Sequence, residues 1–301
     1  MQKLLVLRGG ALGDFIITLP ALALLRARWP HARIELAGNS SAAQLAVNRG
    51  LIDAAFSQHE ARWATLYGRA PLPKEFAAWL DEFDLVISFW PDPDGELRRR
   101  FPSHDRQRFL EGAALPERDP AAAHYCEPLR VLGIEPRDFL YRLNPISTTH
   151  GGGEYSQRIL VHPGSGSPRK NWAVANWRAL RSQLEHPSSL ILGEAEQESW
   201  PEGFTPNEQL RPEPPHLVNA PLEKLVEALS RCRLFLGHDS GISHLAAASG
   251  AKCVLLFGPT EPACWAPPAP HVQVLRNRSD LALLSIEAVQ SAVRAALSGQ
   301  T

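Results

Sequence analysis

Short apolar runs that break at glycine or proline alternate along this chain with stretches whose apolar residues recur at helical spacing, and this alternation predicts an α/β protein. It is clearest from Leu234 to Pro262. Leu234-Phe235-Leu236 breaks at Gly237, and a second run from Lys252 to Phe257 breaks at Gly258-Pro259, so both read as buried strands. The small-residue stretch between them reads as a helix, with Asp239 or Ser240 to cap its start and Gly250 to stop it. The N-terminal end repeats the pattern: a strand over Lys3–Leu7, a glycine loop from Arg8 to Asp14, and a helix over Phe15–Trp29 that Pro20 either kinks or opens. Strands then follow over Arg33–Ala37, Leu51–Phe56 and Asp84–Phe89, with helices over Ala42–Asn48, Pro73–Leu80 and Ala121–Leu132. A second alternation starts at Arg158, with strands over Ile159–His162 and Ser189–Leu192 and a helix over Ala173–Leu184. Leu222, Leu225, Val226 and Leu229 mark another helix, and Leu283–Leu297 a last one.

Between the two alternations lies 144–157, NPISTTHGGGEYSQ, whose three consecutive glycines, proline and four Ser/Thr residues mark a linker. The chain therefore divides into domains 1–150 and 151–301, each expected to be a Rossmann-like, doubly wound sheet. Pro201–Pro215, rich in proline and acidic residues, reads as a surface loop.

Charge narrows the partners. The net charge of −1 gives no global attraction to nucleic acid or to an anionic membrane, so any basic surface is local. Arg98, Arg99, Arg100, Arg106 and Arg108 form one such patch, suited either to an anionic acceptor or to a solvated loop. Cys126, Cys232, Cys253 and Cys264 show no CxxC spacing, which fits a reducing cytoplasm. Met1 runs straight into a strand without signal-peptide features, and no apolar run reaches the roughly 18 residues of a membrane span. Work at a membrane is expected to be peripheral.

Three loops carry candidate chemistry, each at the junction of a strand and a helix, where unpaired N–H groups and the helix dipole favour anions. In the first, Gly10 and Gly13 permit a tight turn, and Asp14 is either a helix cap or a general base. The second runs from Pro163 to Trp172 with Gly164, Ser165, Arg169 and Lys170; it is not a Walker loop, because Asn171 follows the lysine. In the third, Asp239, Ser240, Gly241 and Ser243 open a helix, and His244 lies about one turn in; the bland alternative is a buried, capped helix. Glu194 and Glu196 follow the strand ending at Gly193, and a carboxylate in such a loop, Glu194 first, suits a ribose hydroxyl, an adenine-side contact or an exposed helix start. The dinucleotide spacing GxGxxG is absent, which gives no support to an NAD-dependent oxidoreductase.

Together, LRGGALGDFIITLPAL at 7–22, HPGSGSPRKNW at 162–172 and LGHDSGISHLAAASGAKCVLLFGPTEP at 236–262 resemble glycosyltransferase family 9, the ADP-heptose lipopolysaccharide heptosyltransferases and their relatives. The resemblance implies a GT-B architecture of two Rossmann-like domains facing across a cleft, with the acceptor on the first and the nucleotide sugar on the second. It implies a metal-independent, inverting transferase with no cofactor beyond its nucleotide-sugar co-substrate, ADP-heptose. It matches Asp14 to the general base, Lys170 to the group that offsets charge on the leaving diphosphate, and Asp239, Ser240, Gly241, Ser243 and His244 to the diphosphate and sugar pocket. The implied partner is a glycolipid such as a lipopolysaccharide core, reached from the cytoplasmic face of the inner membrane. His238 stands where relatives often carry Asn or Val. A protein-modifying heptosyltransferase and a non-catalytic nucleotide-sugar binder are the alternatives.

Overall fold

In the computed structural model the structure describes residues 1–102, 105–143, 146, 154–201, 216–277 and 280–299. The chain divides into two compact units, Met1–Phe139 and Leu140–Thr301. The boundary expected at 150/151 and the expected loop beyond Pro201 lie outside the described residues.

The first unit holds β1 (Lys3–Arg8), β2 (Arg33–Gly38), β3 (Ala54–Ser57), β4 (Leu85–Ser88) and β5 (Arg108–Glu111), all parallel, in the order β3-β2-β1-β4-β5. Winding runs outward from β1 in one direction and resumes at β4 in the other, so the switch point lies between the carboxyl ends of β1 and β4. The helices are α1 (Leu12–Arg28), α2 (Ser40–Val47), α3 (Ala61–Ala64), α4 (Lys74–Asp81), α5 (Glu96–Arg100) and α6 (Ala121–Cys126). One face of the sheet packs Leu5, Leu7 and Val86 against Trp63, Phe76, Leu80 and Phe83. Each such side chain contributes about 1.5–3 kcal/mol by leaving water.

Several expectations shift here. Helix α1 begins at Leu12 and runs unbroken through Pro20. The strand expected over Leu51–Phe56 is Ala54–Ser57, because Leu51 and Asp53 belong to the turn: Leu51 N–H donates to the Ala46 carbonyl, and Asp53 N–H to that of Ile34. The helix expected over Ala121–Leu132 is α-helical only to Cys126 and continues as 3₁₀ over Glu127–Leu132, where Pro128 has no N–H to extend it. Arg108, read as part of a basic loop, opens the edge strand β5.

The second unit holds β6 (Ile159–His162), β7 (Ser188–Leu192), β8 (Leu217–Val218), β9 (Leu234–His238), β10 (Cys253–Phe257) and β11 (Val272–Arg276), again all parallel, in the order β11-β10-β9-β6-β7-β8. Its switch point lies between β6 and β9. The helices are α7 (Val174–Gln183), α8 (Leu222–Arg231), α9 (Gly241–Ala248), α10 (Pro262–Trp265) and α11 (Ile286–Ser298). Strand β9 does not break at Gly237: it lies between β6 and β10, and Gly237 pairs with His162 on one side and Leu255 on the other. The core gathers Val161, Trp172, Trp177, Leu190, Leu236, Val254 and Val289.

Candidate active site

In the first unit the residues after β1 build a fixed carboxylate. Asp14 is the third residue of α1; its Oδ2 accepts the Ala11 N–H at 2.8 Å and its Oδ1 accepts from Arg8 Nη2 at 2.9 Å. Arg8 is buried, and its guanidinium also donates to Thr18 Oγ1 (3.2 Å), the Gly9 carbonyl (2.8 Å) and Tyr125 Oη (3.0 Å) while lying 4.4 Å from the Tyr125 ring. The planar fork is thus fully held and presents one edge to the aspartate. A carboxylate has about four lone-pair positions, so Asp14, 36% exposed and accepting two bonds, retains capacity for an incoming hydroxyl. Gly10 has φ +113°, and a Cβ there would sit 2.4 Å from Asp14 Oδ2. Only glycine fits both constraints. Gly13 immediately precedes the aspartate in the first turn of α1.

In the second unit, Lys170 and Asp239 meet at the switch point. The loop after β6 makes one 3₁₀ turn over Pro168–Lys170 and brings Lys170 Nζ to 2.6 Å from Asp239 Oδ2, at the end of β9. Asp239 is 7% exposed and Lys170 30%. Ser240 caps α9, its Oγ accepting the Ser243 N–H. The first-turn N–H groups of Gly241 and Ile242 have no intrahelical carbonyl to bond. A cation held by a buried carboxylate beside such N–H groups has the chemistry to attract a polyanion.

His238 shapes this loop. It is 0% exposed, and its Nε2 accepts the Trp172 N–H at 2.7 Å, which leaves the proton on Nδ1, 3.4 Å from the Gly164 carbonyl. One ring therefore ties both ends of the Gly164–Trp172 loop to β9. Burial pushes its pKa down to about 3, with neighbouring His162 acting in the same direction, so the ring is neutral. Glu196 completes the underside. It is buried, its Oε2 accepts the Gly193 N–H at 2.7 Å, and a Cβ on Gly164 would lie 1.9 Å from its Oε1.

The other expected residues are placed as follows. Ser165 Oγ lies 2.6 Å from Asn171 Oδ1 and 2.8 Å from the Ser167 carbonyl, bracing the loop. Arg169 is exposed and makes no ion pair with a described residue. Ser243 is buried with its hydroxyl donating to the His238 carbonyl, and His244 is buried with its ring 5.7 Å from that of Tyr141. Glu194 is exposed, whereas Glu196 is the carboxylate that packs on the Gly164 loop. The arginine cluster is largely engaged within its own unit. Arg98 lies 4.6 Å from the Phe109 ring, Arg99 pairs with exposed Glu96, and Arg100 donates to the carbonyls of Thr65 and Ala70. Sequence reasoning does not find Arg8, Tyr125 or His238 as site residues, and it names Glu196 only beside Glu194 as a loop carboxylate; the one available signal for the others is a polar residue ending an apolar strand, as Arg8 and His238 both do. Among the described residues no group of three or more His, Cys, Asp or Glu is arranged to hold a metal ion, and no helix is long and apolar enough to cross a membrane.

The model of glycosyltransferase family 9 (heptosyltransferase) matches residues 131–290, which contain both the Lys170 loop and the Asp239 loop. The chain belongs to glycosyltransferase family 9. Across 297 residues it is 22% identical to lipopolysaccharide heptosyltransferase 1 of Salmonella typhimurium strain LT2, covering 87% of this chain and 90% of that protein. Among solved structures, the family 9 glycosyl transferase from Veillonella parvula DSM 2008 superposes with a TM-score of 0.78 at 22% identity, covering 99% of this chain and 98% of the other. The E. coli ADP-heptose lps heptosyltransferase II gives 0.77 at 17% identity, covering 99% of both chains. The fold of this family 9 member is accordingly GT-B, two α/β units with parallel sheets.

Proposed function

We propose that this family 9 enzyme transfers a heptose from ADP-heptose to a hydroxyl of a lipopolysaccharide-core or similar glycolipid, with inversion and without a metal ion. The names of its relatives, a lipopolysaccharide heptosyltransferase and an ADP-heptose lps heptosyltransferase, support the donor and the acceptor class. The observation that carries the proposal is the Lys170–Asp239 pair at the switch point of the second unit, beside the capped start of α9.

The chemistry follows from the two loops. Asp14 takes the proton of the acceptor hydroxyl as its oxygen attacks the anomeric carbon from the face opposite the diphosphate. The bond from that carbon to the diphosphate oxygen breaks, and its electron pair leaves with ADP. Lys170 and the N–H groups of Gly241 and Ile242 offset the charge that develops there. Asp239 is a positioning residue: a carboxylate beside a diphosphate is unfavourable by itself, but it fixes the ammonium. His238 and Glu196 hold the loop that carries Lys170. A glycolipid acceptor implies peripheral contact with the inner membrane at its cytoplasmic face.

The test is a donor panel of ADP-heptose, ADP-glucose and UDP-glucose, with lipopolysaccharides truncated at successive core sugars as acceptors and excess chelator present. Expected is ADP release from ADP-heptose that depends on the acceptor, together with a product whose anomeric configuration is opposite to that of the donor by NMR. Retained configuration, a preference for UDP-glucose, or loss of transfer with chelator would each contradict the corresponding part of the proposal.

A further inference from the structure

The first unit carries an open groove of about 480 Å³, within the size range of small-molecule sites, lined by Gln58, His59, Trp63, Tyr67 and Trp90 among others. Its residues follow the carboxyl ends of β3 and β4, the edge of the sheet where the Asp14 loop follows β1. Gln58 joins groove and loop, its Oε1 accepting the Gly10 N–H at 2.9 Å. Gly9 lies against the same wall: a Cβ there would be 3.2 Å from Gln58 Oε1 and 3.4 Å from Trp90 Nε1. The groove therefore adjoins the carboxylate assigned above as base.

The lining is aromatic with polar tips. Tyr67 is 48% exposed, and its hydroxyl donates to the Pro91 carbonyl at 3.1 Å, which holds the ring in place. Trp90 is fixed edge-on against Trp63 at 5.4 Å, and its indole N–H donates to no described residue. A sugar ring, with apolar C–H faces and a rim of hydroxyls, is complementary to such a wall. Charge decides which kind of sugar. No lysine or arginine lines the groove, and the one carboxylate, Glu60, pairs with Arg62 at 2.9 Å and accepts the Ser57 N–H. The Arg62 guanidinium lies over Phe56, Trp63 and Trp79 at 4.5–4.8 Å. An acidic or phosphorylated sugar would meet the Glu60 carboxylate and no lysine or arginine, exposed His59 being the one lining side chain able to take a positive charge.

We infer that this groove is the acceptor subsite and that it takes an uncharged sugar ring, stacked on Tyr67 beside Trp90 with a hydroxyl directed to Asp14. Its role as an acceptor subsite rests on the transferase proposed above; its preference for a neutral ring does not.

The experiment uses the full chain labelled with ¹⁵N-tryptophan, with the Trp90 indole signal identified by its loss in Trp90→Phe. The probes are the methyl glycosides of glucose, galactose, mannose and heptose, then methyl glucuronoside as the charged counterpart of the glucoside, then ADP. Neutral glycosides are expected to move the Trp90 signal saturably, with the glucuronoside weaker than the glucoside. Tyr67→Ala, checked for fold by its other indole signals, is expected to bind about fivefold more weakly, the loss of one aromatic face. No Trp90 shift with any neutral glycoside, or tighter binding of the glucuronoside, overturns the inference even if ADP binds. A Trp90 shift from neutral glycosides without any ADP binding would keep the sugar site and remove the transferase.

Discussion

His238→Asn removes the ring that ties the Lys170 loop to β9, and its effect should depend on pH in a way the structure specifies. At pH 8 the substitution leaves the buried Trp172 N–H and the Gly164 carbonyl without their partner. At 1–3 kcal/mol for an orphaned buried group, the weaker 3.4 Å contact counting least, the loss is about 3 kcal/mol. The histidine is neutral when folded, with a pKa near 3, against about 6.5 in the unfolded chain. Below pH 6.5 the unfolded chain takes up a proton that the folded chain refuses, so the stability owed to His238 is complete above that pH. It then falls by about 1.4 kcal/mol per unit until the folded pKa is reached. By pH 5 the wild type has lost about 2 kcal/mol through this group, and the His238→Asn variant, which has no titrating ring there, nothing. The stability difference between the two proteins should therefore shrink from about 3 kcal/mol at pH 8 to about 1 kcal/mol at pH 5. Urea denaturation followed by tryptophan emission measures it, since Trp172 and Trp177 pack at the ring. A difference that stays constant from pH 8 to pH 5 would refute the buried, neutral histidine.

Lys170→Ala leaves Asp239 without its ammonium partner; it should cost about 1–3 kcal/mol in denaturation and weaken ADP binding about tenfold or more by calorimetry. Gly164→Ala drives a methyl into Glu196 and should cost about 1.5–3 kcal/mol, but almost nothing in a Glu196→Ala background, a double-mutant cycle that isolates the contact. Arg100→Ala should lower stability by about 1–3 kcal/mol, because half-buried Arg100 donates to two backbone carbonyls. Arg99→Glu should stay within about 0.5 kcal/mol of wild type. Equal loss of acceptor use in both variants with stability unchanged would restore the anion-gripping patch.

What the chain shows of this fold follows from which faces are buried. Ile159–His162 is covered on both sides, so its apolar run marks the strand to the residue. Arg108–Glu111 lies at a sheet edge with only its two middle residues apolar, and the charged ends hide it among arginines. Asp14, Lys170 and Asp239 are legible because a glycine- or serine-rich turn between strand and helix is a local signature. The groups that hold them are not local. Arg8 reaches Tyr125 across 117 positions, and His238 reaches Trp172 across 66. Glu196, two residues after Glu194, differs from it only in which way the turn after β7 points its side chain, and spacing carries no sign of that.

The transferase itself is tested most directly by Asp14→Asn, which keeps one oxygen for either the Ala11 N–H or the Arg8 fork, turns an NH2 to the other, and cannot take the acceptor's proton. With ADP-heptose and a glycolipid acceptor, kcat/KM should fall about 10²–10⁴-fold while ADP affinity stays within about twofold of wild type. Transfer at the wild-type rate by the Asp14→Asn enzyme would contradict the assignment of Asp14 as the base.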